Sequence, residues 1–550
     1  MKLPTLHSTR LRRVARQHFG WGSLRPGQLA AMRALLKRRD ALVVLPTGAG
    51  KSAIYQVPAA LLPGPTVVVS PLLALQEDQI RALNDRGDTR LRAVRVSSAE
   101  TPNQQAAALR EIATGAARFL FITPEQLSNP ECLAKVRALR PALVAVDEAH
   151  CISAWGNDFR PDYLALGQLI RGLGRPPVVA LTATASPPVR EDIVARLGLE
   201  NPRTVVAGLD RPNLFLEVAH CPTEEYRWRR LLRLLDTDQR PGIVYVPTRR
   251  AAEELAARLT EAGHDAAYYH GGMPAGARTE LHERFLDDQV PIMVATSAFG
   301  MGIDKPNIRW VAHLALPDSP DSYLQEIGRA GRDGSPAHAL LLWRAEDVGL
   351  QRFFTGGTPD ADELAELAAV LRTGPVTRAA LRERTGWGSR KLGQLLALLE
   401  RVGAAGTTGP KQRVSSPRYA PEPAEAARAA VAEAERQQAV QRSRTDMMRA
   451  FAEATGCRSQ PLLAYFGEQL ESTCGHCDSC HAGTSTAGDG ASGPFPVHST
   501  VRHAEWGPGL VLSYEDDRMT VLFENVGYKT LSVPVVSEQG LLTGDGSRNS

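Results

Sequence analysis

The sequence predicts an α/β protein: two parallel-sheet domains in succession, then a helical unit, a cysteine-bearing module and a small all-β domain. Three observations predict it. Short apolar runs recur at the spacing of buried strands, with helical stretches between them, over most of the chain. Four of the seven cysteines crowd into one late segment. The last segment alternates apolar and polar residues between glycines. At 550 residues the chain exceeds the roughly 250–300 residues that one core accommodates.

The strand runs of the first domain, residues 1–208, are Ala41–Leu45, Thr66–Ser70, Phe119–Ile122, Leu143–Val146 and Pro177–Leu181. Gly27–Lys37, Leu73–Leu83 and Thr101–Ile112 read as helices. Residues 209–350 repeat the plan, with strands at Ile243–Val246, Asp265–Tyr269, Pro291–Ala295 and Arg309–Leu314 and helices at Ala251–Glu261 and Ala277–Asp287. Residues 359–410 hold Ala361–Leu371, Thr377–Arg384 and, after Gly386-Trp387-Gly388, Ser389–Val402. That reads either as a winged helix or as a plain helical packing unit. In the first reading Arg390 and Lys391 open the last helix and hold duplex DNA; in the second they are a solvated helix start. Residues 420–482 begin with a long Ala/Glu/Arg/Gln-rich helix and end in the cysteine cluster. Residues 483–494 read as a flexible tether, 495–537 as a small β domain, and 538–550 as a loose tail.

Composition is that of an ordinary globular chain, 43% hydrophobic and 23% charged. No window is apolar enough to span a membrane, and the basic opening lacks the apolar core of a secretion signal. A net charge of +4 permits a nucleic-acid partner without arguing for one. Cys132, Cys151 and Cys221 are scattered. Cys457, Cys474, Cys477 and Cys480, spaced C-x16-C-x2-C-x2-C, suit a closed tetrahedral Zn²⁺ site, with an iron–sulfur cluster as the other reading.

The strongest local signal is Leu45-Pro46-Thr47-Gly48-Ala49-Gly50-Lys51-Ser52, between a strand and a helix. Gly48 and Gly50 let backbone N–H groups close around phosphate, Lys51 reaches the β/γ-phosphates, and Ser52 holds Mg²⁺. The first glycine usual in such loops is replaced by Leu45. The apolar strand Leu143–Val146 runs into Asp147-Glu148-Ala149-His150. Asp147 at the strand end orients Mg²⁺ and its water, and Glu148 polarises the attacking water. In the second domain, Arg329 and Arg332 are three apart and would share a helix face. With the domains closed over one nucleotide they become arginine fingers; otherwise they are surface arginines beside Asp333.

Thr47–Ser52, Asp147–His150, Thr182-Ala183-Thr184 and Gln325-Glu326-Ile327-Gly328-Arg329-Ala330-Gly331-Arg332, in this order, resemble the motif set of superfamily 2 helicases. More closely, residues from about 15 to 345 resemble the RecQ family of DNA helicases. Phe19-Gly20-Trp21 with Leu24-Arg25-Pro26-Gly27-Gln28 is similar to the family's adenine-reading segment, which implies that role for Gln28. Ser70–Gln79 is similar to its first DNA-facing motif, and Ala295–Pro306 to its fifth, with Asp304 assigned to the nucleotide. Cys151–Tyr163 resembles its aromatic-rich loop, in which Trp155, Phe159 and Arg160 couple single-strand contact to hydrolysis.

The resemblance implies two RecA-like P-loop NTPase domains, ATP, Mg²⁺ and Zn²⁺. It also implies 3′-to-5′ movement on single-stranded DNA with opening of duplex DNA, in repair or recombination. Thr182 and Thr184 would link hydrolysis to strand separation, and Gln325 joins the catalytic set. Strand phosphates would be held by hydroxyls and backbone N–H groups at Ser70 and at Thr296-Ser297.

Two departures stand out. Ala154 and Asn157 occupy positions where the family carries glutamine and histidine. The helical unit precedes the cysteine module, where the family has the reverse order. Val501–Val536 resembles the SH3/Tudor-like C-terminal domain of UvrD/PcrA-type helicases, which implies a protein-docking role with RNA polymerase among the partners. Trp506 is expected in its small core. The expected form is a monomer in the bacterial cytoplasm, associated with the nucleoid. The alternative function is a DNA-dependent ATPase serving as a binding, annealing or remodelling scaffold, and an RNA helicase is a third.

Overall fold

The computed structural model describes residues 6–544, apart from 72, 154–159, 237–240, 301, 302, 304, 355, 356, 409–412, 469, 471, 486–492, 498, 516, 524 and 525. Trp155, Phe159, Asp304 and most of the expected tether therefore lie outside the described residues, as do Ala154 and Asn157. The chain divides into two compact units, residues 1–348 with 447–490 and residues 349–446 with 491–550.

The first unit contains both parallel sheets. Strands β1 (Ala41–Val44), β2 (Thr66–Val69), β3 (Ala93–Val96), β4 (Phe119–Ile122), β5 (Leu143–Val146), β6 (Val178–Thr182) and β7 (Arg203–Val206) form one sheet of order β3-β4-β2-β5-β6-β1-β7. Strands β8 (Leu214–His220), β9 (Gly242–Tyr245), β10 (Ala266–Tyr269), β11 (Ile292–Ala295), β12 (Trp310–His313) and β13 (Ala337–Trp343) form the second, of order β10-β11-β9-β12-β13-β8. The central strands are buried along their whole length, as parallel strands with helices on both faces must be. The expected strands appear in place; β3, β7, β8 and β13 are additional. β3 and β7 are four-residue strands with an arginine each, and β8 is only partly buried, so none carries a strong apolar signal.

Parallel strands put all their carboxyl ends on one edge, where open α/β sheets bind ligands. Here the first sheet places Leu45–Ser52 after β1, Ser70 after β2, Asp147 after β5 and Ala183-Thr184 after β6. β1 pairs with β6 so that Val44 faces Thr182, which sets the glycine loop beside Thr182-Ala183-Thr184.

The module bearing the cysteines closes an exposed sheet edge. β8 is the last strand of the second sheet and would otherwise present unpaired backbone groups. The Leu216 N–H donates to the His476 carbonyl at 3.2 Å, and Asp478 Oδ2 accepts from the Val218 N–H at 3.0 Å. The Arg458–Asp478 ion pair at 2.9 Å ties that knuckle to the preceding helix, Ser459–Tyr465.

In the second unit, helices Ala361–Arg372, Arg378–Thr385 and Ser389–Arg401 pack with the antiparallel pair β14 (Gly406–Thr408) and β15 (Arg413–Ser415). Val376 bridges Val414, adding a third stretch to the hairpin. Three helices and a hairpin are the parts of a winged helix. Lys391 pairs with Glu363 and lies 5.2 Å from the Trp387 ring, while Arg390 is exposed.

The long helix, Pro423–Glu453, is shared. Its residues Ala426, Ala427 and Ala430 belong to the core of the helical unit, and residues from Met447 pack with the first unit. The helix thus runs from one unit into the other, and the small alanines of its first half pack as closely as a core allows.

The C-terminal domain is a five-stranded antiparallel sheet: β16 (Thr500–His503), β17 (Gly507–Glu515), β18 (Arg518–Phe523), β19 (Gly527–Ser532) and β20 (Leu542–Gly544), in order β19-β18-β17-β16-β20. The expectation of a loose tail from residue 538 is corrected here. Helix Val533–Gln539 ends on Gly540 in the left-handed region, and the turn returns Leu542–Gly544 to pair with β16. Three residues with one apolar side chain are too short a run to read as a strand. Trp506 is half-buried against the core of this sheet and stacks on His503 at 4.0 Å.

Among the described residues no helix is long and apolar enough to cross a membrane.

One close approach inside the second sheet gives a sharp prediction. A Cβ on Gly242 would fall 2.0 Å from Trp310 Cε2 on the neighbouring strand. Gly242→Ala is expected to destabilise this domain by about 2–3 kcal/mol or more through overpacking, read as a lower denaturation midpoint with unchanged m-value.

Candidate nucleotide and DNA site

The glycine loop turns because Gly48 and Gly50 adopt φ of +77° and +74°, a region open to glycine. Lys51 folds back on the loop, its Nζ donating to the carbonyls of Leu45 (3.1 Å) and Pro46 (3.4 Å). Gln28 is buried beneath the loop and donates from Nε2 to the carbonyls of Ala49 (2.9 Å) and Gly50 (3.0 Å). Its Oε1 accepts from the Arg25 N–H at 2.9 Å, so the side chain is held from both ends.

Asp147 stands at the end of β5, almost fully buried. Gln79 Nε2 donates to its Oδ2 at 3.1 Å, and the Tyr55 hydroxyl donates to Gln79 Oε1 at 2.8 Å. Burial, followed by the neighbouring Glu148 charge, pushes the Asp147 carboxyl up to about 6, against the opposing pull of Gln79 and Lys51. A buried carboxylate among donors and beside a lysine is a fit place for a divalent cation, with Ser52 across the loop. Glu148 sits at φ +46°, a strained value for a residue with a side chain. His150 lies 3.4 Å from Glu148 Oε2 through Nδ1, and the same nitrogen is 2.9 Å from the Thr182 hydroxyl. Thr182 Oγ1 accepts from the Thr184 N–H at 3.2 Å. Acids, His150, Thr182 and Thr184 thus form one connected cluster.

The second sheet supplies the arginines. Helix Pro320–Ile327 stops before them, and Gly331 takes φ +60°, so Arg329 and Arg332 lie on a tight turn rather than on a shared helix face. The correction has a plain cause: two glycines in Gly328-Arg329-Ala330-Gly331 end the helix. The turn carries Arg332 across to the other domain, where its side-chain carbons lie 3.2–3.4 Å from the point a Gly48 Cβ would occupy. Arg329 is buried, with a terminal nitrogen 3.5 Å from the Cβ position of Gly300. Gln325 lines a cavity with Thr47, Thr184, Asp210, Leu463 and His476.

On the side expected to meet DNA, Ser70 is fully buried and Gln76 donates to its carbonyl at 2.9 Å. Arg160 donates to the Pro71 carbonyl at 3.0 Å, which joins the end of the aromatic-rich loop to the loop after β2. Thr296 is half-buried and Ser297 exposed, both just beyond β11. The expected positions at Trp155, Phe159 and Asp304 fall outside the described residues.

Sequence reasoning missed Gln79 and gave no role to His150. Gln76 and Gln79, three apart on one helix, both turn inward to bond the ends of β2 and β5. An amide pair at that spacing on a half-apolar helix was the available signal.

The four cysteines converge. Their sulfurs all lie within 4.8 Å of one another, and Cys474 Sγ to Cys480 Sγ is 3.8 Å. A tetrahedron with Zn–S of about 2.3 Å has edges of about 3.8 Å. Backbone N–H groups of Arg458, Cys474, His476 and Cys480 point at the sulfurs at 3.3–3.4 Å, as suits thiolates. The residues fit Zn²⁺.

Comparison with known proteins agrees with this geometry. A family model described as DEAD/DEAH box helicase matches residues 25–193, and one described as helicase conserved C-terminal domain matches residues 227–334. The two domains are thus the ATP-driven motor of a helicase. A third model, RecQ zinc-binding, matches residues 423–481.

The chain is 40% identical over 365 residues to the probable ATP-dependent DNA helicase RecS of Bacillus subtilis, covering 66% of this chain and 73% of that protein. It is 35% identical over 496 residues to the ATP-dependent DNA helicase RecQ of Synechocystis sp., covering 86% and 98%. It spans 56% of Bacillus subtilis RecQ, at 40% identity. The chain belongs to the RecQ family of ATP-dependent DNA helicases. Among solved structures, Mycobacterium smegmatis helicase Lhr bound to ssDNA and AMP-PNP is similar in fold, at TM-score 0.50 and 22% identity, over 77% of this chain and 62% of that one.

Two predictions follow from the site. Gln79→Leu is expected to lower kcat for ATP hydrolysis about tenfold, the scale of one lost hydrogen bond to a charged group, and to lower the melting temperature because the buried Tyr55 hydroxyl loses its acceptor; unaltered turnover would dissociate Gln79 from the site. Metal analysis of the purified chain should find zinc. Its removal by a strong chelator, or Cys477→Ser, should unfold the knuckle and expose the β8 edge, seen as rapid hydrogen exchange at Leu216 and Val218.

Proposed function

We propose that the chain moves 3′ to 5′ along single-stranded DNA and opens duplex DNA in repair or recombination, driven by ATP hydrolysis in the cleft between the two sheets. The observation that supports this most is the seating of Arg332, from the second sheet, on the phosphate loop of the first. A contact of this kind makes occupancy of the cleft and separation of the domains exclusive alternatives, which is what a stepping motor needs.

In this reading Gly48, Gly50 and Thr47 cradle the phosphates, and Lys51 leaves the Leu45 and Pro46 carbonyls for the β/γ-phosphates. Ser52 and Asp147 would hold Mg²⁺, which neutralises phosphate charge when bound. Glu148 accepts the proton of the attacking water, and His150 and Thr182 hold Glu148 against the strand that follows. Arg329, Arg332 and Gln325 stabilise the charge developing on the transferred phosphoryl group. Gln28, holding the loop carbonyls, is the residue through which adenine recognition reaches the phosphates. Asp304 completes the nucleotide set.

Arg160, Thr296 and Ser297 face the strand, whereas Ser70, expected there too, is buried with its N–H bonded to the Ile122 carbonyl; Trp155 and Phe159 stack on bases to report strand contact to Glu148. Backbone contacts of this sort impose no base sequence. We assign the winged unit to duplex binding and the C-terminal β domain to docking a protein such as RNA polymerase. The working form is a monomer in the bacterial cytoplasm.

The deciding experiment is ATP-dependent unwinding of 3′-tailed and 5′-tailed duplexes, with Lys51→Ala as the blank. Unwinding of the 3′-tailed substrate alone, lost in Lys51→Ala together with at least about 100-fold in ATP turnover, is the expected result. DNA-stimulated hydrolysis with neither duplex opened would overturn the unwinding reading in favour of a remodelling scaffold.

A further inference from the structure

The helix Leu6–Phe19 has no part in the site above, yet it holds an unusual charge. Ten lysines and arginines precede the first acidic residue of the chain, Asp40. The whole chain has 64 basic and 60 acidic residues, so everything after that opening stretch is net acidic. The first 39 residues therefore carry basic charge with no acid among them.

The structure puts four of these charges on one face. Leu11, Val14, Ala15 and Phe19 are buried in the core of the first domain, which anchors the helix. Arg10, Arg12, Arg13 and Arg16 are all exposed on the opposite side. From Arg10 to Arg16 the helix rises about 9 Å.

A second observation concerns the partners of these arginines. Several helix arginines elsewhere are matched by an acid one turn away: Arg196 with Asp192, Arg227 with Glu224, Arg250 with Glu254 and Arg449 with Glu453. Among the described residues no carboxylate forms an ion pair with Arg10, Arg12, Arg13 or Arg16. Like charges one turn apart repel, and among the described residues no ion pair relieves them. A polyanion does. Duplex DNA carries a charge every ~1.7 Å of its axis with both strands counted, so ~9 Å of it holds about five phosphates, those on the near side facing the guanidinium groups.

We propose that the solvent face of this helix is a second DNA contact, holding duplex DNA by its phosphates. It rests on the helicase reading only for the choice of duplex as occupant. The helix packs on helices Pro26–Leu36 and Ala53–Ala59, whereas Ser70, Pro71 and Arg160 gather beyond β2 and β5. The contact is thus separate from the expected strand track. It tethers the motor to duplex and is blind to base sequence.

The test replaces all four residues with glutamine in the full chain carrying Lys51→Ala, so that hydrolysis plays no part. Affinity for a blunt duplex is measured against salt. Each phosphate contact contributes about one unit to the log–log salt slope. The quadruple variant should lose about three units of slope and at least about tenfold in affinity at low salt, with an unchanged melting temperature. The matching lysine variant should retain most of the binding, since attraction to phosphate needs charge rather than the guanidinium fork.

Unchanged affinity and slope in the glutamine variant would overturn the proposal. So would unchanged DNA binding with lost binding to phosphatidylserine vesicles, which would mark the helix as a membrane-surface element. Equal loss in the lysine and glutamine variants with a lowered melting temperature would mark a structural effect and overturn it too. If the chain with Lys51 intact fails to unwind any duplex while binding still depends on these arginines, the motor reading falls and this one stands.

Discussion

The molecule depends on one steric allowance: the missing side chain of Gly48. At φ +77° the position favours glycine by conformation alone. The absent Cβ also leaves room for the Arg332 side chain, whose carbons come within 3.2–3.4 Å of where it would stand. Loop closure around phosphate and the approach of the second domain thus use the same empty space. The turn that delivers Arg332 is itself built on a glycine, since a Cβ on Gly331 would meet Asn213 Nδ2 at 2.6 Å and Ala337 Cβ at 2.9 Å. Asn213 donates from that nitrogen to the Gly331 and Ser335 carbonyls at 2.8 and 2.9 Å. It stands just past the end of the first domain, so the connection between the sheets helps to fix the arginine turn.

A second layer supports the same turn from within the sheet. Glu326, just ahead of it, is buried and 2.8 Å from His313 Nε2 on β12. His313 stacks on Tyr245 at 5.2 Å and meets the Tyr323 ring edge-on at 5.2 Å. Tyr245 in turn donates to the Phe299 carbonyl at 2.7 Å, at the loop beyond β11. Strand ends, arginine turn and DNA-side loop are therefore one packed polar cluster, in which a shift at any member is felt by the rest. The cysteine knuckle acts on the edge of the same sheet, completing β8 and pairing Arg458 with Asp478.

Much of this was legible in the sequence because it is local. A strand followed by Thr47–Ser52, or by Asp147 and Glu148, is contiguous in the chain, and so is the cysteine spacing. Central strands were legible because burial on both faces makes them continuously apolar. What escaped was set by partners far away in sequence. β8 gains its order from the cysteine module more than 240 residues later, through Leu216 and Val218. Gln79 reaches Asp147 across 68 residues. The arginine turn was misread as helix because spacing alone cannot weigh the two glycines against the periodicity around them. β20 was taken for tail because its order comes from pairing with β16 rather than from its own composition.

The placement of charge completes the physical picture. A motor that steps along a strand must release it repeatedly, so strong, fixed attraction along the track works against movement. In the proposed reading, hydroxyls such as the exposed Ser297 and a few basic groups such as Arg160 would give weak, directional contacts suited to that task. An unpaired basic face on a rigid helix has the opposite properties: it is strong at low salt, undirected, and insensitive to the nucleotide state. Segregating it from the track lets grip on DNA and motion along DNA be set independently.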